Sequence, residues 1–339
     1  MSLFDEVVSG AYTTEGYEGA GVSADVAQEI EESVTDEPYT AFAYTSSCFE
    51  AMDAAGTALY AMEGRCAVKY VKATEESAKS EAVSTMEASL RGAWETIKDY
   101  AARAWEAIKK FIKKVWGKIK GYASVIRNFF NKYTDVIKGK NVDGLKVKWA
   151  EIHPERITNY VNNISGKLDR NLGHAANNVE QMNEGFTNAR IRRTLNREVY
   201  GDENGVQIND STSFKTIMNE AMHIADLGYD KWFQGFLKFG DVKEKEYLKY
   251  AKQAVSDTDD DIDRAGANKS KSKALTERKK WFKTLMNMIQ LCVSILREAI
   301  TKKYSLAVAA CRKAVRYQAG DNTASESFTD YQSILGEIL

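Results

Sequence analysis

The sequence predicts an all-α protein: an elongated helical bundle built on a long amphipathic helix with an eleven-residue repeat. Three observations favour this class. The 339 residues include only 2 prolines, and proline is costly inside helices but common in turns. Apolar residues recur at steps of three, four and seven along much of the chain, which is the spacing of one helix face. A composition of 44% apolar and 28% charged residues is typical of a folded globular chain.

Composition and periodicity divide the chain into six segments. An acidic, Gly/Ser/Thr-rich and flexible N-terminal segment comes first, and Pro38 suits the first turn of the helix that follows it. The segments, in order, are the flexible segment 1–36, a long helical hairpin with a basic amphipathic helix at 37–138, an Asn-rich helical region at 139–256, a polar linker at 257–273, a basic C-terminal helix at 274–318 and an acidic tail at 319–339.

The clearest pattern lies in three successive lines of eleven residues that begin at Trp94, Trp105 and Trp116. Each line has Trp in the first place, Ile in the fourth, Lys in the fifth and Tyr or Phe in the seventh. Eleven residues make three helical turns with little drift, so these places share one face. The sequence therefore predicts one helix from about Glu75 to Ile137. Its candidate packing or interaction stripe consists of Trp94, Ile97, Tyr100, Trp105, Ile108, Phe111, Trp116, Ile119 and Tyr122.

The Asn-rich region contains several shorter predicted elements. Gly139 to Trp149 is predicted to be a connection, and a helix is predicted from Pro154. A further helical turn stops at the loop of residues 201–205, and Ser211 to Ser213 cap the next helix. Asp241 is predicted to cap a short helix that ends near Ser256. No β-hairpin is predicted.

The net charge of −1 hides basic and acidic blocks along the chain. Residues 1–90 carry 4 Lys/Arg against 17 Asp/Glu, residues 91–140 carry 13 against 4, and residues 269–318 carry 13 against 2. The helix at 75–137 then has three readings. Its apolar stripe is buried in a helical bundle, it binds a membrane surface, or its lysines bind nucleic-acid phosphates without sequence specificity.

The residues that usually carry chemistry give no site, so we expect neither an enzyme nor a cofactor or metal ion. The single cysteines Cys48, Cys66, Cys292 and Cys311 are expected to be reduced and partly buried. The acidic run at 257–263 has Ile262 where a calcium-binding loop needs glycine. Glu220 and His223 have the spacing of a di-iron ligand pair, but a second copy is missing. His153 and His174 have no metal-ligand spacing.

Two stretches resemble helices of proteins found in or on the heads of large tailed bacteriophages, the myoviruses and jumbo phages. They are WEAIKKFIKKVWGKIKGY at 105–122 and the helix at 291–317. This resemblance implies a virion protein, assembled in the host cytoplasm and oligomeric in its assembly, that contacts other virion proteins. Packaged DNA is a further candidate partner through the basic helices. The alternative is a membrane-active or ejected protein that uses the 75–137 helix on lipid.

The resemblance also implies processing of the two ends. Head-maturation proteases of such phages cut after a small residue, any residue, then Glu. Gly16-Tyr17-Glu18 and Ala324-Ser325-Glu326 fit this pattern in the two segments predicted to be flexible, and a protease needs unfolded chain. Glu18 and Glu326 are therefore the candidate processing sites.

Burial of the stripe gives a first prediction. Trp105 and Ile108 should lie on the buried face of one continuous helix. We expect Trp105→Glu to lower the free energy of unfolding by several kcal/mol, because it places a charge where an aromatic ring packs. Thermal unfolding followed by circular dichroism measures this effect. An unchanged melting temperature would mean that the stripe is free to bind a partner.

Overall fold

The computed structural model describes residues 24–137, 141–142, 144–159, 161, 187–211, 213–226, 229–256 and 271–317. The chain divides into two compact units, Met1–Tyr39 and Thr40–Leu339. The described part of the first unit is the beginning of the first helix. All contacts discussed below lie within the second unit.

The all-α prediction is confirmed. In chain order the elements are α1 Ala24–Lys72, α2 Glu76–Ile137, β1 Val147–Trp149, α3 Asn188–Tyr200, β2 Asn209–Ser211, α4 Phe214–Asp226, α5 Tyr229–Ser256 and α6 Lys271–Arg316. Helix α2 is continuous over 62 residues, as the stripe requires. The elongated shape of the bundle stays a prediction.

Helix α1 begins earlier than predicted. It starts at Ala24, so Pro38 lies inside it instead of in its first turn. The reason is visible in the acidic stretch before Pro38, where Val26, Ile30 and Val34 recur at the four-residue step of a helix face. The missing N–H of Pro38 removes one hydrogen bond of the helix, and the first compact unit ends one residue later.

Helix α6 is the central element of the second unit. It packs against α2, α3, α4, α5 and β1. Ten consecutive residues, Met288 to Arg297, are all buried. A helix that is buried around its whole circumference has to be surrounded by other elements. Helix α6 is enclosed over this stretch, whereas positions nearer its ends, such as Lys280 and Lys313, are exposed.

Several basic residues of α6 are buried as well. Lys303 donates a hydrogen bond to the backbone carbonyl of Ile152 at 3.0 Å, and its ammonium lies 3.4 Å from Glu220. Lys279 pairs with Asp53 of α1. Arg297 is also buried. Part of the positive charge of residues 269–318 therefore lies inside the protein. Helix α6 exposes less charge than its composition indicates.

A two-stranded antiparallel sheet lies where the sequence predicts connections. Val147 pairs with Ser211 and Trp149 with Asn209, so the prediction of a connection at 139–149 is corrected over its last three residues. The strands are separated by about sixty residues of sequence, which is why no hairpin pattern is present. Val147 and Trp149 face the core, and Trp149 donates a hydrogen bond to Glu220 at 3.1 Å.

The predicted end of α3 before the loop at 201–205 and the predicted start of α4 after Ser213 are confirmed. Thr187 caps the N-terminus of α3 by accepting a hydrogen bond from the backbone N–H of Arg190. Gly201 ends α3 with φ of 72°, a left-handed conformation that glycine adopts without strain. Helix α4 begins at Phe214, directly after Ser213. Residues 156–159 are helical after Pro154, and the rest of that predicted helix, 162–186, lies outside the described residues.

The buried lysine of α6 gives a second prediction. We expect Lys303→Ala to lower the free energy of unfolding by about 2 kcal/mol, because the Ile152 carbonyl and Glu220 both lose their cation. Urea unfolding measures the change. Lys313→Ala is the matched control, since Lys313 is exposed on the same helix and should change stability by less than about 0.5 kcal/mol. Equal effects of the two variants would contradict the prediction.

Candidate interaction site

The predicted stripe of α2 is largely buried in the core. Trp105, Ile108 and Ile119 have no exposed surface, and Ile97 and Phe111 are at most 5% exposed. Trp94, Tyr100 and Trp116 are partly buried and pack against the same core. The side chain of Tyr122 lies outside the described part of the structure. Both residues of the first prediction, Trp105 and Ile108, lie where the sequence places them.

Trp105 packs into α5 at a glycine. A Cβ atom on Gly240 would lie 1.9 Å from the Trp105 ring, so no larger residue fits there without a shift. The indole N–H of Trp105 donates a hydrogen bond to Asp241 at 2.7 Å. Lys109, one turn along α2, lies 3.6 Å from the same carboxylate and 5.6 Å from the centre of the Trp105 ring. The Trp105 ring, the Asp241 carboxylate and the Lys109 ammonium therefore lie close together.

Trp116 makes a similar set of contacts one repeat later. Its indole N–H donates a hydrogen bond to Asp230 at 2.7 Å. Lys120 lies 3.2 Å from Asp230 and 4.4 Å from the centre of the Trp116 ring, which is a favourable cation–π distance. Phe233 stacks on the ring, with 6.2 Å between the centroids. The contacts around Trp116 are more exposed to solvent than those around Trp105.

The two sets of contacts show how α2 and α5 align. Trp105 and Trp116 are eleven residues apart on α2, and their partners Asp241 and Asp230 are eleven residues apart on α5 in the opposite direction. The two helices are therefore antiparallel. Place one of the repeat provides the ring and place five the lysine. We refer to these as the Trp–Asp–Lys units.

Asp241 corrects one sequence prediction. It is predicted to cap the start of a short helix, but α5 runs without a break from Tyr229 to Ser256. Asp241 accepts the Trp105 hydrogen bond instead of capping a helix, and Gly240 accommodates the ring. A signal was present in the sequence, because Asp230 and Asp241 have the same spacing as the tryptophans.

Hydrogen bonds and opposite charges favour the ionised forms of two groups in these contacts. The hydrogen bond from Trp116, together with Lys120, holds the pKa of Asp230 below its ordinary value. Burial lowers the pKa of Lys109, but Glu106 and Asp241 outweigh this effect and the net shift is upward. Burial raises the pKa of the neighbouring Glu244. For Asp230 and Lys109, the partner groups therefore outweigh the effect of burial.

The four cysteines are free, and all are buried, more fully than the partial burial predicted. Burial raises the pKa of Cys311 to about 12 and also raises that of Cys292. A buried thiol with a raised pKa is a poor nucleophile. Among the described residues, no group of three His, Cys, Asp or Glu side chains is placed to hold a metal ion.

Glu220 has a structural role that His223 does not share. Glu220 accepts from Trp149 and pairs with Lys303, whereas His223 is exposed. His153 lies 3.3 Å from Glu155 at the surface. His174, the acidic run at 257–263 and the candidate processing sites Glu18 and Glu326 lie outside the described residues.

A groove of about 260 Å³ lies between α1 and α2. Small and apolar side chains line it, with the hydroxyls of Ser89 and Thr96. Both hydroxyls already donate to carbonyls of their own helix, at 2.9 and 3.0 Å. Among the described residues, no titratable side chain lines the groove. Within the described residues, no helix combines the length and apolar character needed to cross a membrane.

The close contact at Gly240 gives a third prediction. We expect Gly240→Ala to lower the free energy of unfolding by about 2 kcal/mol or more, because the methyl group displaces the Trp105 ring. Gly235→Ala on the same helix is the control. It meets nothing within 4 Å and should raise stability by up to about 1 kcal/mol, since alanine favours the helix. The urea concentration at the midpoint of unfolding is measured for both variants. If both midpoints shift in the same direction, the packing argument is wrong.

Comparison of the chain with protein-family models, with curated proteins and with solved structures gives no match.

Proposed function

We propose that the chain is a non-enzymatic helical structural component of a bacteriophage virion, located in or on the head. Other virion proteins hold it in place, and packaged DNA is a further contact. The resemblance of residues 105–122 and 291–317 to head proteins supports this proposal. The described core supports the proposal as well. It is filled by side chains in packing contact, and no catalytic or metal-binding group of side chains is assembled in it.

The burial of the apolar stripe of α2 favours this proposal over the membrane-active alternative. An amphipathic helix binds lipid through its apolar face. In α2 that face packs against α5 and α6, and Trp105 has no exposed surface. Lipid binding would require α2 to leave both helices and to break the Trp–Asp–Lys units. A structural role requires no such change, because α2 keeps its contacts with α5 and α6.

The polar contacts fit the same role. The buried polar groups Lys303, Gln290 and Asn196 are engaged in holding elements together, and none lines an open pocket among the described residues. Most exposed side chains of α2 and α5 are charged. Such a surface suits contacts that depend on charge, either with neighbouring proteins or with a polyanion.

The fourth prediction concerns the protein in its native source. Particle-bound and soluble material are separated, and the intact mass of the chain is measured in each fraction. We expect recovery with particles, shortened after Glu18, after Glu326 or after both. We expect no cut after Glu106, although Ala104-Trp105-Glu106 fits the same pattern, because Trp105 is buried within α2.

Glu18→Gln and Glu326→Gln are the matched variants. Each should keep its end uncut while the chain still enters particles. A full-length chain found only in soluble or membrane fractions would contradict the virion proposal. Recovery in the membrane fraction would favour the alternative, in which residues 75–137 act on lipid.

A further inference from the structure

Helix α5 carries a row of exposed lysines that composition does not reveal. Five lysines recur at steps of seven, seven, four and three residues: Lys231, Lys238, Lys245, Lys249 and Lys252. At 3.6 residues per turn they fall within an arc of about 60° and extend over about 32 Å. All five are exposed. We call them the α5 lysine row.

The acidic residues of α5 do not neutralise this row. Asp230 and Asp241 are engaged in the Trp–Asp–Lys units by a tryptophan and a lysine of α2. Glu246 pairs with Lys243, 2.8 Å away. Glu244 is half-buried, and its cationic neighbours are Lys109 of α2 and, more weakly, Lys245 of the row. Within the described residues, no carboxylate lies within ion-pair distance of the row. Five positive charges therefore face solvent along one side of the helix.

The residues between the lysines decide which kind of anion the row fits. Gln234, Gly235 and Gln253 are exposed beside it, and Val242 is the exposed apolar residue there. A helix that binds lipid needs a large apolar face towards the membrane. The apolar residues of α5, such as Phe233 and Tyr247, are buried in the core instead. The row suits a polyanion that remains outside the protein in water.

We propose that the α5 lysine row binds the phosphate backbone of duplex DNA. Its length of about 32 Å is close to one turn of the duplex, about 34 Å. Lysine contacts to phosphates do not read sequence, so binding is independent of sequence and sensitive to salt. That the DNA is packaged phage DNA rests on the proposed function, whereas the binding itself does not.

The test uses the full chain and a fluorescently labelled duplex DNA, with binding measured by anisotropy at several salt concentrations. Five phosphate contacts give a slope of log K against log salt of about −4.5, so affinity falls about 500-fold from about 50 to about 200 mM salt. The triple variant Lys238→Gln/Lys245→Gln/Lys249→Gln should lose about three contacts. Its affinity should then fall only about tenfold over the same range.

The control variant is Lys146→Gln/Lys148→Gln/Lys215→Gln. It removes the same charge from exposed lysines of α4 and of the chain in and next to β1, and it should keep the slope of the unchanged protein. Circular dichroism checks that both triple variants fold, and the substituted side chains are exposed.

Three results would overturn the proposal. One is no binding at low salt by the unchanged chain. Another is an equal loss of slope in both triple variants, which would mean that net charge alone matters. The third is tight binding to vesicles of mixed neutral and anionic phospholipid with no binding to DNA, which would assign the row to a membrane. Recovery in particles is a separate measurement, so failure here leaves the virion proposal to its own test.

Discussion

The enclosure of α6 is the constraint on which the rest of the structure depends. A helix with ten consecutive buried residues cannot be stable alone in water, because its whole apolar circumference needs partners. Helices α2 and α5 cover it along their length, and α3, α4 and β1 cover it elsewhere. Its buried polar side chains add a second requirement. Lys303 needs the Ile152 carbonyl and Glu220, and this ties the small sheet and α4 to the central helix.

Helices α2 and α5 are held together by contacts in which a packed aromatic ring also takes part in a network of charged side chains. Trp105 fills the space that Gly240 leaves open, and its indole N–H reaches Asp241. The indole N–H of Trp105 is enclosed by packing and needs an acceptor. The half-exposed carboxylate of Asp241 accepts its hydrogen bond, and the ammonium of Lys109 lies 3.6 Å from the same carboxylate. The three polar groups of this contact therefore pair with one another at the edge of the packed interface.

The sequence predicts α2 well because one face of this helix is buried and its period is repeated three times. The ends of α3 were predictable for a different reason, since Thr187 and Gly201 act locally on the helix ends. The sheet was not predictable, because Val147 and Ser211 meet only through the fold. The cap predicted at Asp241 is wrong, because aspartate is common at helix starts and its actual partner, Trp105, meets it only through the fold. Burial of basic residues on α6 depends likewise on neighbours that are distant in sequence.

The glycine at the Trp105 contact links the formation of α5 to its packing. Glycine inside a helix costs about 1 kcal/mol relative to alanine, and α5 carries both Gly235 and Gly240 in its interior. Separated from the protein, this segment would therefore form a weaker helix than its length indicates. The contact that Gly240 allows with Trp105 exists only when α5 lies against α2. Helix formation and helix packing are therefore coupled at this point, which favours cooperative folding of the pair.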